Sequence, residues 1–162
     1  MPDPTRPVAG APVDTDWGQQ VHDHVFQPKG VSVGGDVAAI GLSQAQLDLS
    51  NVVDDPAGWL SGDTLTVASG AGGLYMYSLR VSTDDGNAGQ QTVVWLRVNG
   101  INYNVMRIEC EGGVIQYGTM SGIGELAAGD ELEVWAAKTG GPNHNVAVQT
   151  FVIVKIGTSI GA

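Results

Sequence analysis

Side chains able to do chemistry are sparse in this sequence, and most sit where that chemistry has no support. Ser121 lies in Gly118-Thr119-Met120-Ser121-Gly122, which is not a Gly-x-Ser-x-Gly elbow, and no strand-to-helix turn is at hand to expose a nucleophile. Gly70-Ala71-Gly72-Gly73 runs into an extended segment, so its amides meet no helix N-terminus that could hold a phosphate. His22 and His24 straddle Asp23; on a helix, positions i and i+2 face different ways, so the two imidazoles cannot share an ion. Glu125, Asp130, Glu131 and Glu133 offer carboxylates for sugar hydrolysis. Glu131 and Glu133, however, alternate with Leu132 and Val134 and read as the wet face of a strand. Cys110, between Glu109 and Glu111, is disfavoured as a thiolate, and as the sole cysteine it forms no intrachain disulfide. Asp54-Asp55 and Asp84-Asp85-Gly86-Asn87 are oxygen-rich but lack the spacing of a defined calcium loop. A non-enzymatic protein with no cofactor and no metal is therefore expected.

What remains is architecture, and it centres on Gly72-Gly73-Leu74-Tyr75-Met76-Tyr77-Ser78-Leu79-Arg80-Val81. Tyr75, Tyr77, Leu79 and Val81 share one face of an extended chain; Leu74, Met76, Ser78 and Arg80 share the other. A period of two makes this a strand. Its first half is apolar on both faces, which implies cover from two sides. Further strands follow at 31–33, 37–42, 64–67, 92–98, 102–110, 114–127 and 146–156, with Asn99-Gly100 predicting a tight hairpin. Leu132, Val134 and Ala136 give one more strand a single dry face. In the terminal strand Phe151 and Ile153 oppose Val152, Val154 and Ile156, again apolar on both sides.

The order of these segments resembles the C1q and tumour-necrosis-factor-like jelly roll over roughly residues 40 to 157. The likeness rests on the Gly-x-Tyr-x-Tyr strand at 73–77, the Asn99-Gly100 hairpin, Leu126-Ala127-Ala128-Gly129-Asp130 and the last apolar strand. It implies an all-β antiparallel sandwich at 31–162. It also implies a homotrimer, in which strands line a threefold axis with stacked aromatic side chains; Tyr75, Tyr77, Phe151 and Ile153 are the candidates for that interface.

Residues 1–30 read differently. Pro2, Pro4, Pro7 and Pro12 favour an extended arm. Trp17, Val21 and Val25 then recur at i, i+4 and i+8 on a short helix capped near Asp14 or Thr15 and stopped by Pro28. That stripe either packs on the sandwich or docks on another protein; Trp17-Gly-x-x-Val21-x-Asp23-x-Val25 resembles entry segments of bacteriophage fibre proteins.

Composition narrows the class. A chain of 162 residues fits one domain, and 24 glycines among apolar runs suit many short strands. The net charge of −10 repels phosphate backbones, so nucleic acid is not an expected partner. No run reaches ~18 apolar residues, and no membrane partner is expected. The N-terminus lacks the apolar core of a signal peptide, so synthesis in a host cytoplasm is expected. These features, with the resemblance, favour a trimeric bacteriophage virion protein, a capsid decoration or head-fibre protein bound to the major capsid protein or another virion protein through its N-terminal arm. One alternative is the receptor-binding tip of a tail fibre or baseplate, with Asp84, Asp85, Asn87, Asn143 and His144 in exposed loops meeting a host-surface ligand. Others are a bacterial C1q-like ligand-binding module and a small viral polysaccharide hydrolase.

Overall fold

The computed structural model of the chain describes residues 30–55, 58–84 and 88–158. The expected arm and helix, with Trp17, Val21 and Val25, and the loop residues Asp85 and Asn87 lie outside them. The described residues form β1 (Gly30–Gly34), β2 (Ala38–Ile40), β3 (Ala45–Gln46), β4 (Asn51–Asp54), β5 (Leu60–Ser61), β6 (Thr64–Thr66), β7 (Gly73–Asp84), β8 (Gln91–Val98), β9 (Ile101–Glu109), β10 (Gln116–Leu126), β11 (Glu131–Thr139) and β12 (His144–Gly157). All pair antiparallel into two sheets. Sheet 1 runs β10-β7-β12-β1-β4, with β2 on β12; sheet 2 runs β5-β6-β11-β8-β9, with β3 on β11. Neighbours distant in sequence, β7 beside β12 and β8 beside β11, give the jelly-roll path.

Alternation decides which side chains enter the core. On β7, Tyr75, Tyr77, Leu79, Val81 and Thr83 point inward, while Met76, Ser78 and Arg80 face solvent. On β12, Phe151 pairs with Leu79 and Ile153 with Tyr77, so their side chains extend the same inner layer. Sheet 2 answers with Leu65, Val94, Leu96, Leu132, Val134 and Ala136, all buried. Trp59 closes one end, edge-on to Tyr75 at 5.6 Å between centroids. The Tyr75 hydroxyl donates to the Ala71 carbonyl, and burial pushes its pKa up to about 12.

The aromatic and branched residues expected along a threefold axis are thus interior to one copy: Tyr75 is 1% exposed, Tyr77 7%, and Phe151 and Ile153 0%. A sandwich has one interior, and the larger side chains of β7 and β12 fill it. The opposite parity, Met76, Val152, Val154 and Ile156, faces outward, half-buried or exposed.

Turn chemistry fixes the hairpin between β8 and β9. Asn99 (φ 52°) and Gly100 (φ 74°) are both left-handed, the conformation that matches strand twist in a two-residue loop. Asn99 also ties this turn to β11: its Oδ1 accepts from the Glu131 amide and its Nδ2 donates to Asp130 Oδ1, each at 2.9 Å.

Phe151→Ala should remove about 3–5 kcal/mol of stability, read as a lower denaturant midpoint with unchanged slope at fixed protein concentration. A loss below about 1 kcal/mol would contradict an inward Phe151.

Candidate functional site

β10 carries Gly118, Gly122 and Gly124 at positions where side chains of the core and of β9 press close. A Cβ on Gly122 would lie 2.5 Å from the Tyr77 hydroxyl, and one on Gly118 2.5 Å from Ile108 Cγ1. These bare positions let β9 close on β10 where the two sheet edges meet. Tyr103 stands edge-on to Tyr77 at 5.9 Å, its hydroxyl against Gly124, and Asn104 Nδ2 donates to the Tyr77 hydroxyl at 2.8 Å.

On the outside of sheet 1 the same strands make a flat, largely apolar surface. Val154, Met76 and Ile123 form one cross-strand row; Val152, Ser78 and Ser121 form the next. Between them lies a shallow depression of about 300 Å³, whose lining includes Met76, Ile123, Val152, Val154 and Gly122. Met76 is 49% exposed, Ile123 63%, Tyr117 53% and Ile156 47%. The Arg80 guanidinium sits 4.5 Å over the Tyr117 ring at the end of this surface. Around the corner, on edge strand β9, Ile101, Tyr103 and Val105 are also exposed. Contiguous exposed apolar patches of this kind mark interaction or ligand-binding surfaces in folded proteins. Ser121 lies exposed on this face, without the base and orienting group that a nucleophile requires.

A second feature is buried and polar. Thr83, Thr92 and His144 are each at most 2% exposed. The Thr92 hydroxyl donates to Thr83 Oγ1 at 3.1 Å and lies 2.6 Å from His144 Nε2, which then carries the proton and donates to Thr92. His144 Nδ1 and Asp84 Oδ1 are buried without a hydrogen-bond partner among the described residues. Lys138, only 4% exposed, donates to the carbonyls of Gly140 and Gly141. Burial pushes the His144 pKa below its ordinary value, the nearby Lys138 ammonium pushes it further, and Asp84 opposes both.

This corrects the expectation for His144. It opens β12 opposite Ile40 instead of sitting solvated in a loop, so it is no exposed binding residue; its neighbour Asn143 is exposed. Asp84 ends β7 half-buried. Among the described residues, no grouping of three or more His, Cys, Asp or Glu is arranged to hold a metal, and no helix is long and apolar enough to cross a membrane. The Thr83-Thr92-His144 cluster and buried Lys138 escaped the sequence reading. Their only signal was polarity at strand positions whose parity points inward.

The sign of the pH effect follows. The unfolded chain protonates this imidazole near pH 6.5, whereas the folded one protonates it only at lower pH. Its stabilising contribution is therefore complete above about pH 6.5 and is lost as pH falls toward the folded value. Between pH 7 and 5.5 the melting temperature of the native protein should drop more than that of His144→Gln. Parallel profiles would contradict a buried neutral His144.

No family sequence model and no curated protein matches this sequence. Solved structures do match by shape. The globular domain of zebrafish complement 1qA protein superposes with a TM-score of 0.62 at 13% identity, covering 82% of this chain and 99% of that one. Eiger TNF from S. frugiperda superposes with a TM-score of 0.58 at 15% identity, covering 82% of this chain and 95% of that one. The fold is a C1q/TNF-like jelly roll.

Proposed function

We propose that this chain is a non-enzymatic display module that assembles as a homotrimer through the outer face of sheet 1. The observation carrying the proposal is the exposed row of Val154, Met76 and Ile123 over a shallow depression, beside a different apolar edge bearing Ile101, Tyr103 and Val105. A face and an edge that are distinct patches of one protomer pair head-to-tail, and such heterologous contacts close into a ring when the rotation permits. The C1q/TNF-like fold supports three copies. Tyr75, Tyr77, Phe151 and Ile153 support this face from beneath and do not line the axis. Burying the outward apolar side chains supplies the driving force, at roughly 25 cal/mol per Å² before association costs.

Within that assembly, the finer reading is a tailed-bacteriophage virion protein, a capsid decoration or head-fibre protein anchored by residues 1–30. Support comes from the proline-rich arm, the Trp17, Val21 and Val25 spacing and an acidic chain with a self-contained sandwich. A host-binding tip is the second reading, favoured by exposed Asn143 beside the Gly140-Gly141 turn.

Sedimentation of the native protein at micromolar concentration should give three times the 16.8 kDa of one chain. Ile123→Glu and Val154→Glu, which place charge on the proposed dry face, should give monomers that still melt cooperatively. A native monomer, or trimeric variants of both kinds, would refute the assembly. Removing residues 1–29 should leave the trimer intact and abolish attachment to particles; retained attachment would refute the anchoring role.

A further inference from the structure

The outer face of sheet 1 holds one charge at its centre. Across β10, β7 and β12, the rows that run from Met76 up to Ser82 carry Arg80 as their only charged side chain. Among the described residues its guanidinium makes neither a hydrogen bond nor an ion pair; it lies 4.5 Å over the Tyr117 ring. Arg80 pairs with Thr119, and Tyr117 stands in the next row up with Ser82, so the stack carries the charge one row higher on the sheet. Stacking holds the guanidinium flat and leaves its N–H edge free. This face is the one the proposed assembly covers, and a guanidinium covered without an anion is strongly destabilising.

The β9 edge can be levelled against this face within one protomer. β9 rises as β10 descends, and two contacts tie them: a Cβ on Gly118 would meet Ile108, while Gly122 backs onto the Tyr77 hydroxyl to which Asn104 donates. Counting from these anchors puts Ile123 level with Tyr103, Ser121 with Val105, Thr119 with Arg107 and Tyr117 with Glu109. Val105, Arg107 and Glu109 share one parity. They pair with Trp95, Val93 and Gln91 and point away from the core, as do Trp95 and Trp135, paired with each other across β8 and β11. Rotation about an axis moves nothing along it, so in a ring whose strands run along that axis each level meets the same level of the next copy. Tyr103 and Val105 then meet the Met76 and Ser78 rows, which is the apolar contact of the assembly. Two rows higher, the same register sets Glu109 at the Tyr117 level, where the Arg80 guanidinium lies.

We propose that Arg80 of one protomer pairs with Glu109 of the next, an ion pair that fixes the register in which the ring closes. The inference rests on the assembly reading. Glu109 is exposed, and its Oε1 accepts from Gln91 Nε2 at 3.2 Å, a neutral donor that leaves Oε2 for a cation. A planar guanidinium is the side chain best matched to such a carboxylate. With a net charge of −10 the chain has carboxylates in excess, so the anion need not come from solution. Arg107 gives the pair its selectivity. In this register it falls against the Thr119 and Thr150 hydroxyls, one row below the Arg80 charge. A slip of two residues would bring it onto Arg80 instead, and the two guanidinium groups would repel.

Sedimentation of the full chain over a concentration series tests the pair. Arg80→Glu and Glu109→Arg should each raise the concentration at which trimers dissociate at least about tenfold, and the double variant should recover most of that loss. The milder Glu109→Gln should weaken the trimer in the same direction while still melting cooperatively. Added salt should weaken the native trimer more than it weakens Arg80→Gln. Single variants that associate like the native protein, or a double variant no stronger than either single one, would overturn the pair while leaving the trimer standing. So would a native trimer that phosphate or sulfate tightens through Arg80 while Glu109→Gln changes nothing, because the anion would then come from solution. A native protein that stays monomeric throughout would refute the assembly reading and the pair with it.

Discussion

One constraint governs this molecule: β7 and β12 lie side by side in sheet 1, each is apolar on both faces over part of its length, and a two-layer sandwich has a single interior. The pairings Leu79 with Phe151 and Tyr77 with Ile153 commit one parity of both strands to the core at once. Because side chains alternate with a period of two, that choice forces Met76, Val152, Val154 and Ile156 outward together. The outer apolar face is thus the unavoidable partner of a well-filled inner one. Moving one strand by a single residue would exchange the two sets and expose Phe151 and Tyr77, which the packing with Leu96, Val134 and Trp59 opposes.

The rest of the structure serves this arrangement. β10 is spliced onto the outer side of β7 with glycines wherever Tyr77, Tyr103 or Ile108 must pass, so the sandwich closes along the β9–β10 edge without a bulky layer between. That closure presents the flat face and the Ile101-Tyr103-Val105 edge as separate surfaces of one protomer. At another margin of the core, Thr83, Thr92 and His144 substitute a hydrogen-bonded cluster for apolar packing. Such a cluster specifies its surroundings only while every member keeps its partner, and His144 Nδ1 and Asp84 Oδ1 do not have one among the described residues. This margin is accordingly where acidity acts.

Much of the fold was legible in the sequence because its signals are local. Asn99-Gly100 dictates its own turn, Leu132, Val134 and Ala136 declare a dry face against Glu131 and Glu133, and the tyrosine strand announces a period of two. What local pattern could not supply was the choice between two apolar parities. Tyr75 and Met76 are equally plausible as core residues until β12 and sheet 2 are laid beside them. The same limit hid His144, whose partner Thr92 comes from β8 and is bonded in turn to Thr83 of β7. The outward pair Trp95 and Trp135 was readable in principle, since each sits between buried aliphatic neighbours. Large aromatic residues in such runs, however, read first as core.

The most direct measure of a shared dry face is the chemical accessibility of Met76, which is 49% exposed on one protomer whereas Met120 is 6% exposed. Oxidative footprinting with mass spectrometry reads each methionine separately. Slow oxidation of Met76 in the native protein, rising severalfold in a dissociated Ile123→Glu variant while Met120 stays protected in both, is the expected result. Rapid oxidation of Met76 in the native protein, equal to that in the variant, would contradict the burial of this face between copies.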